Sequence, residues 1–141
     1  ARFFANYVFL TMKDCLFCDS NNEELIDQNA LCYARQDGYP VTPYHTLIIP
    51  KRHVASYFDL QPDEIVAMHA MLLQMKGRIE GLDKAVSGFN IGVNAGGDAG
   101  QSIFHVHMHL IPRRKGDVKN PQGGVRGVIP DKRTYTRRAR H

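Results

Sequence analysis

Histidine alternates with apolar residues three times in succession, at His105, His107 and His109. Successive side chains of a β-strand point to opposite faces of its sheet, so this alternation predicts a strand over residues 102–112 with all three imidazoles on one side. The apolar side chains beside them are predicted to face the core: Phe104, Val106, Met108 and Leu110. Because imidazole titrates near neutrality and is the commonest metal ligand, the row indicates a functional site rather than ordinary packing.

Two kinds of chemistry fit a row of imidazoles. Histidines two apart on one strand face suit zinc, which with one further ligand would form a catalytic metal site. A neutral imidazole can instead attack an electrophilic phosphorus. Residues 94–102, directly before the row, form a glycine-rich polar loop, and such loops let backbone N–H groups approach an anion closely. The loop favours phosphoryl or nucleotidyl transfer over metal-activated water.

The run from Asn94 to Arg113 contains Gly-Gln-Ser followed by His-φ-His-φ-His-φ-φ-Pro-Arg, where φ is apolar. This pattern resembles that of the histidine triad (HIT) superfamily of nucleotide hydrolases and transferases. The resemblance extends from about Cys15 to Gly116. It implies a single HIT domain over residues 1–141, with a core at about 15–116 and a basic C-terminal arm at 117–141.

The order of predicted elements favours an α+β fold. Strand patterns at residues 29–33, 45–50 and 88–94 flank one helix pattern at 62–82, which begins with a proline and acidic residues in its first turn. Strands, then a long helix, then strands suit this class better than a βαβ parallel sheet. The helix is predicted to bury Ile65, Met68, Leu72, Met75, Ile79 and Leu82. The resemblance implies a HIT-like antiparallel sheet with one main helix, and a homodimer whose sheets join.

The resemblance also implies a two-step reaction. His107 attacks the α-phosphorus of a nucleoside phosphoanhydride or phosphoramidate, such as a dinucleoside polyphosphate, and water then releases a nucleoside monophosphate. His109 and the backbone of Gly100, Gln101 and Ser102 are expected to hold the phosphoryl oxygens. Ser102 or a bound proton is expected to protonate the leaving group. A non-catalytic nucleotide-binding adaptor is the alternative function, and a zinc-dependent metallohydrolase is a third.

Three further site residues follow from the same resemblance. His45 matches a fourth active-site histidine, and either its side chain or a carbonyl of residues 43–45 is expected to orient His107. Asp37, eight positions before His45, matches a residue that holds the ribose hydroxyls, although by itself it equally fits a solvated turn. Asn94 matches a residue that contacts the phosphate region.

Cys15 and Cys18 form a Cys-x-x-Cys pair, which is typical of a zinc knuckle or a redox pair. The surrounding sequence lacks the βαβ setting of a thioredoxin-like motif. The resemblance implies a structural zinc that also uses His53, in Pro-Lys-Arg-His, and His105. Two unligated cysteines near a turn remain the alternative.

The composition, 43% hydrophobic and 23% charged with three cysteines, is typical of a soluble globular domain without a disulfide framework. No apolar run has the length of a membrane span. Arg2 and Asn6 interrupt the apolar residues near the start, which disfavours a signal peptide. These features predict a cytoplasmic protein without a membrane partner.

The net charge of +4 is concentrated towards the end of the chain. A basic segment can attract nucleic acid, but Tyr135 is the single aromatic residue within it, so a nucleic-acid partner is not expected. Residues 121–130 are predicted to form a mostly extended arm over the edge of the active site, with Arg126 able to reach a polyphosphate. A disordered tail is the alternative.

Overall fold

The computed structural model describes residues 15–19 and 23–138. The signal-peptide interpretation of the first residues lies outside this part of the chain, as do the last three residues of the predicted arm. None of the helices in these two ranges is both long and apolar enough to cross a membrane.

A five-stranded antiparallel sheet and one long helix form the domain. The strands are β1 (Leu25–Gln28), β2 (Cys32–Gln36), β3 (Thr46–Pro50), β4 (Val86–Gly92) and β5 (Met108–Arg114), and the helix is α1 (Pro62–Leu82). Their order in the sheet is β1-β2-β3-β5-β4. The α+β prediction is confirmed, and β4 pairs antiparallel with β5 as expected.

The strand that was predicted to carry the whole histidine row is shorter than expected. It begins at Met108, so His105 and His107 lie in the extended segment just before it. That segment is held by single contacts, such as the 2.8 Å hydrogen bond from the Val106 N–H to the Val54 carbonyl, instead of by a ladder. The prediction that Phe104 faces the core is wrong, because its side chain is 54% exposed.

Two other strand boundaries differ from the prediction, and one strand was not predicted. Residues 29–31 form a turn in which the Asn29 side chain accepts hydrogen bonds from the backbone N–H groups of Leu31 and Cys32, so β2 starts at Cys32. β1 has the sequence LIDQ, in which two apolar residues precede two polar ones, so it shows no alternating pattern. β4 starts and ends two residues earlier than predicted.

α1 begins as the sequence predicts, with Pro62 in its first turn and a capping box between Gln61 and Glu64. Its buried residues are Glu64, Met68, Met71, Met75 and Ile79. Two residues of the predicted stripe, Ile65 and Leu82, are 41% and 58% exposed. The buried face is centred one residue from the predicted one, which brings Met71 into the core.

The sheet has two differently packed faces. One face packs on α1 through a core that includes Ala34, Ile48, Val106 and Leu110. The other face carries a smaller cluster of Phe17, Tyr33, Leu47 and Ile49. Because Val106 and Leu110 face α1, the predicted alternation holds around the histidines, which lie on the face opposite the helix.

The C-terminal segment is not extended. It forms three short 3-10 turns at Pro121–Gly123, Val125–Val128 and Pro130–Lys132, two of which begin at proline. The first two turns pack on β4, where a Cβ added to Gly124 would lie 3.1 Å from the Asn90 Nδ2 atom. The segment therefore lies along the edge of the sheet as predicted, but with a different backbone.

Candidate active site

The side chains of Cys15, Cys18, His53 and His105 converge at the edge of the histidine face. Their ligand atoms all lie within 4.8 Å of one another. The Cys18 Sγ atom is 3.1 Å from His53 Nδ1 and 3.6 Å from His105 Nδ1, and the Cys15 Sγ atom is 3.5 Å from His105 Nδ1. The predicted Cys2His2 group is thus assembled from parts of the chain that are far apart in sequence.

The protonation of His105 fits a metal ligand. Its Nε2 atom lies 2.7 Å from the Pro50 carbonyl, and only an N–H can donate there, so Nδ1 presents its lone pair to the two sulfurs. Burial lowers the pKa of His105 to about 4, which keeps the imidazole neutral. Burial and the neighbouring Cys15 raise the pKa of the Cys18 thiol to about 11 in the metal-free chain. The donor set is one that zinc prefers.

His107 is oriented by the backbone of His105. The His107 Nδ1 atom lies 2.8 Å from the His105 carbonyl, which requires Nδ1 to carry the proton and leaves the lone pair on Nε2. The Phe17 ring packs against the imidazole, with 4.9 Å between ring centroids. His107 is 8% exposed, so its ring is held by contacts on both sides.

The expectation that a carbonyl of residues 43–45 orients His107 is wrong. The Pro43 carbonyl accepts from Arg114 Nη2 at 3.2 Å, the Tyr44 carbonyl from Thr46 Oγ1 at 2.8 Å, and the His45 carbonyl from the Asp37 N–H at 3.0 Å. Each of the three carbonyls thus has a donor from another residue, and the His107 Nδ1–H donates to the His105 carbonyl instead.

His45 and His109 form a hydrogen-bonded pair. The Val41 N–H donates to His45 Nδ1 at 3.1 Å, so the proton of a neutral His45 is on Nε2. That atom lies 2.9 Å from His109 Nδ1, which must then accept and place the His109 proton on Nε2. Burial lowers the pKa of both histidines, while the Asp37 carboxylate raises it. A neutral His109 therefore presents an N–H to the site.

Asp37 lies against this pair. Its Oδ2 atom is 3.3 Å from His45 Nε2 and 3.7 Å from His109 Nδ1, and its Oδ1 atom accepts from the Tyr39 N–H at 2.8 Å. The three ligand atoms are close enough for a metal ion, but the proton on His45 Nε2 does not fit one, since a ligating nitrogen needs a free lone pair. The geometry favours a proton-bearing pair over a second metal site.

The glycine-rich loop owes its shape to two glycines and one glutamine. Gly96 and Gly100 have φ values of 97° and 93°, in the region that favours glycine. The side chain of Gln101 is buried and donates to the carbonyls of Ala55 and Ile103 at 2.6 and 3.1 Å, while accepting from the Gly96 N–H at 2.9 Å. The Gln101 side chain thus holds the loop. The backbone N–H groups of Gly100 and Gln101 donate to the carbonyls of Gly97 and Gly96 at 3.0 and 3.1 Å, which does not fit the expectation that these two groups hold the phosphoryl oxygens.

The two remaining predicted residues lie on the same loop. Asn94 is half-buried, and its Nδ2 atom lies 3.5 Å from the Gly100 carbonyl. Ser102 is exposed beside the start of the histidine segment.

A groove of about 840 Å³ opens beside His45 and His109. One wall is β4 with the residues after it, and the opposite wall is the C-terminal segment from Asp117 to Arg133. Arg126 does not line it, because its Nε atom donates to the Lys132 carbonyl at 3.0 Å and its guanidinium lies 4.5 Å from the centre of the Tyr135 ring.

Sequence reasoning missed Phe17 and Arg133. The aromatic residue inside the Cys pair was a usable signal for Phe17.

The family described as the HIT domain matches residues 19–116, more than half of the chain. The protein belongs to the HIT domain family. The five-stranded antiparallel sheet with one main helix is the HIT fold, as in the similar solved structures.

Several relatives of this HIT protein are themselves described only as HIT-like. An uncharacterized protein of Mycoplasma pneumoniae is 32% identical over 104 residues, covering 71% of this chain and 72% of that one. A bis(5'-nucleosyl)-tetraphosphatase of Schizosaccharomyces pombe is 42% identical over 78 residues, covering 55% of this chain and 42% of that one. An adenylylsulfatase of Arabidopsis thaliana is 34% identical, covering 74% of this chain and 54% of that one.

Solved structures resemble this HIT protein over a similar range. A zinc-bound histidine triad family protein of Mycobacterium smegmatis has a TM-score of 0.69 and 30% identity, covering 77% of this chain and 81% of that one. A histidine triad nucleotide-binding protein of Sulfolobus tokodaii has a TM-score of 0.67 and 34% identity, covering 73% and 71%.

Proposed function

We propose that this HIT protein is a nucleotide hydrolase that cleaves nucleoside phosphoanhydrides or phosphoramidates at the α-phosphate through a nucleotidyl-His107 intermediate. The observation that carries the proposal is the hydrogen bond from His107 Nδ1 to the His105 carbonyl. It leaves the nucleophilic lone pair on Nε2 without requiring a base to remove a proton. Two relatives are named as a dinucleoside tetraphosphatase and an adenylylsulfatase, and both names describe cleavage of an anhydride bond of a nucleotide.

In the first step, the lone pair of His107 Nε2 forms a bond to the α-phosphorus, and the bond to the leaving oxygen or nitrogen breaks. The leaving atom takes the bonding electrons and a proton, for which Ser102 is the proposed donor. The Nε2–H of His109 and the backbone N–H of Ser102 stabilise the charge on the phosphoryl oxygens. The hydrogen bond from His45 fixes the tautomer of His109.

In the second step, a water oxygen forms a bond to the phosphorus, the bond to His107 Nε2 breaks, and the proton that the water loses returns to Ser102. The products are a nucleoside monophosphate and neutral His107. Asn94 and Asp37 are proposed to contact the phosphate region and the ribose. Because Asp37 also faces His45 and His109, binding of a ribose there would change the surroundings of the pair.

Cys15, Cys18, His53 and His105 are proposed to hold a structural zinc. Zinc bound there would contribute folding stability, because a preformed site does not exist in the unfolded chain. His105 connects this site to the nucleophile, since its side chain is a ligand and its carbonyl orients His107. A cytoplasmic homodimer is proposed as the working form.

The test is a comparison of turnover with covalent labelling. Wild-type protein mixed with adenosine phosphoramidate or diadenosine tetraphosphate should release AMP. Samples denatured at alkaline pH, where a phosphorus–imidazole bond survives, should show a mass increase of one adenylyl group on a peptide containing His107. His107→Ala should lose both signals and still bind AMP. The control is His69→Gln, which changes an exposed histidine on α1 and should keep both.

Three results would contradict this proposal in different ways. Binding of nucleotides by the wild type without any turnover would favour the adaptor. A His107→Ala protein that keeps a large share of the turnover would exclude the covalent path. Immediate loss of activity on adding a chelator, without loss of folded protein, would favour a metallohydrolase.

A further inference from the structure

The C-terminal wall of the groove carries Arg133, whose guanidinium has no ion-pair partner among the described residues. Arg113 also lines the groove, but its guanidinium donates to both Asp117 carboxylate oxygens at 2.8 Å and to Asn90 Oδ1 at 2.6 Å. Arg133 differs, since no carboxylate of residues 15–19 and 23–138 lies within ion-pairing distance of its guanidinium. Among the described residues, Arg133 is therefore a groove-lining arginine without a carboxylate partner, and it lines the same groove as His45 and His109.

Gly123 provides the room for the Arg133 side chain. A Cβ built on Gly123 would overlap the Arg133 Cγ atom and lie 2.6 Å from its Cδ atom, and the Arg133 Nε atom lies 3.8 Å from a Cβ built on Gly127. The aliphatic stem of Arg133 thus lies directly on the backbone of the first two 3-10 turns. Gly123 itself is buried. The stem is therefore held against the turns, and the exposed side chain of Arg133 lines the groove.

We propose that Arg133 binds the distal phosphates of a polyphosphate leaving group and so sets the preference of this protein for such substrates. The inference rests on the proposed function, which places the α-phosphorus at His107 and His109. A leaving group that departs from there into the groove runs between β4 and the C-terminal segment. Guanidinium is suited to this contact because it stays charged and can donate two hydrogen bonds to one phosphate.

Apolar side chains complete the subsite around Arg133. The lining includes Val41, Ile91, Val93, Val118, Val125 and Val128. Such surfaces accept the flat face of a base or another apolar group at the far end of the leaving group. The chemistry that fits the whole groove is therefore a chain of phosphates followed by a second nucleoside.

The experiment compares two substrates that share adenosine and the α-phosphorus. One is diadenosine tetraphosphate, and the other is an adenosine phosphoramidate whose leaving amine carries no phosphate. The measured quantity is the ratio of kcat/KM for the tetraphosphate to kcat/KM for the phosphoramidate. Arg133→Gln should lower this ratio about tenfold. Arg133→Lys should keep part of the wild-type ratio, because lysine has the positive charge but not the planar guanidinium that donates two hydrogen bonds to one phosphate. Tenfold corresponds to about 1.4 kcal/mol.

Arg126→Gln is the matched control, since Arg126 lies on the same segment with its guanidinium on Tyr135 and Lys132. It should leave the ratio at the wild-type value. Gly123→Ala should lower the ratio in the wild type and not further in Arg133→Gln, because both changes remove the same contact. Thermal unfolding of each variant shows whether the fold is kept.

If the ratio of the two kcat/KM values is unchanged in Arg133→Gln, the inference is overturned, whether both values stay at the wild-type level or both fall equally. Either result leaves the proposed function intact as long as the wild type still turns over the phosphoramidate. A wild type that releases no AMP from any substrate would instead refute the proposed function itself.

Discussion

Acidification of the metal-free protein is expected to destabilise it through His105. This imidazole is 0% exposed, and burial lowers its pKa to about 4, whereas a histidine in an unfolded chain titrates near 6.5. Below about pH 6.5 the unfolded chain therefore binds a proton that the folded chain does not. Stability is highest above this pH and falls as the pH is lowered towards about 4.

The size of the effect follows from the two pKa values. The difference between 6.5 and about 4, at 1.36 kcal/mol per pH unit, corresponds to about 3 kcal/mol. A domain of this size is typically stable by about 5–15 kcal/mol, so the loss is a large share of the total. Zinc on His105 Nδ1 would compete with the proton, and the loaded protein should hold its stability until the metal is released.

The assay is urea denaturation at several pH values, with chelator-treated and zinc-loaded protein in parallel. Burial also lowers the pKa of His45 and His109, so the contribution of His105 is isolated by comparison with His105→Gln. In this variant the unfolding free energy should fall by about 3 kcal/mol less on acidification than in the wild type. His69→Gln, an exposed histidine, is the control and should keep it. Equal pH slopes for the wild type and His105→Gln would refute the reasoning.

Two further predictions concern the carboxylates. Asp37→Asn should lower the pKa of His45 and His109, because the carboxylate raises both; an NMR titration of the imidazoles measures this, and a raised pKa would contradict it. Glu64→Gln should cost about 1.5–3 kcal/mol of unfolding free energy, because buried Glu64 accepts from Arg52 at 2.7 and 3.1 Å. Chemical denaturation checks this, and a loss below about 0.5 kcal/mol would refute it.

Local sequence patterns predicted the start of α1 and the position of β3. The punctuation at Gln61 and Pro62 located the start of α1, and the β-branched run after His45 located β3. The short strand β1 has no comparable pattern of apolar residues. It lies at the edge of the sheet and pairs with β2 alone.

The sequence predicted which residues come together at the candidate site better than it predicted the contacts between them. The Cys2His2 group came from a resemblance, since Cys15 and His105 are 90 positions apart and no local rule brings them together. The donor to His45 Nδ1 and the carbonyl that orients His107 depend on backbone positions that side-chain patterns do not encode. The uncompensated charge of Arg133 appears only when the partners of Arg113 and Arg126 are known.

The start of β5 at Met108 places the proposed nucleophile one residue outside the sheet. The segment before it is held by the His105 contacts, by Phe17 and by the Val106 N–H bond to Val54. Its position therefore depends on these contacts and not on the pairing of β3, β4 and β5. A change at the Cys2His2 group would reach the proposed nucleophile through His105, whose side chain belongs to that group and whose carbonyl orients His107.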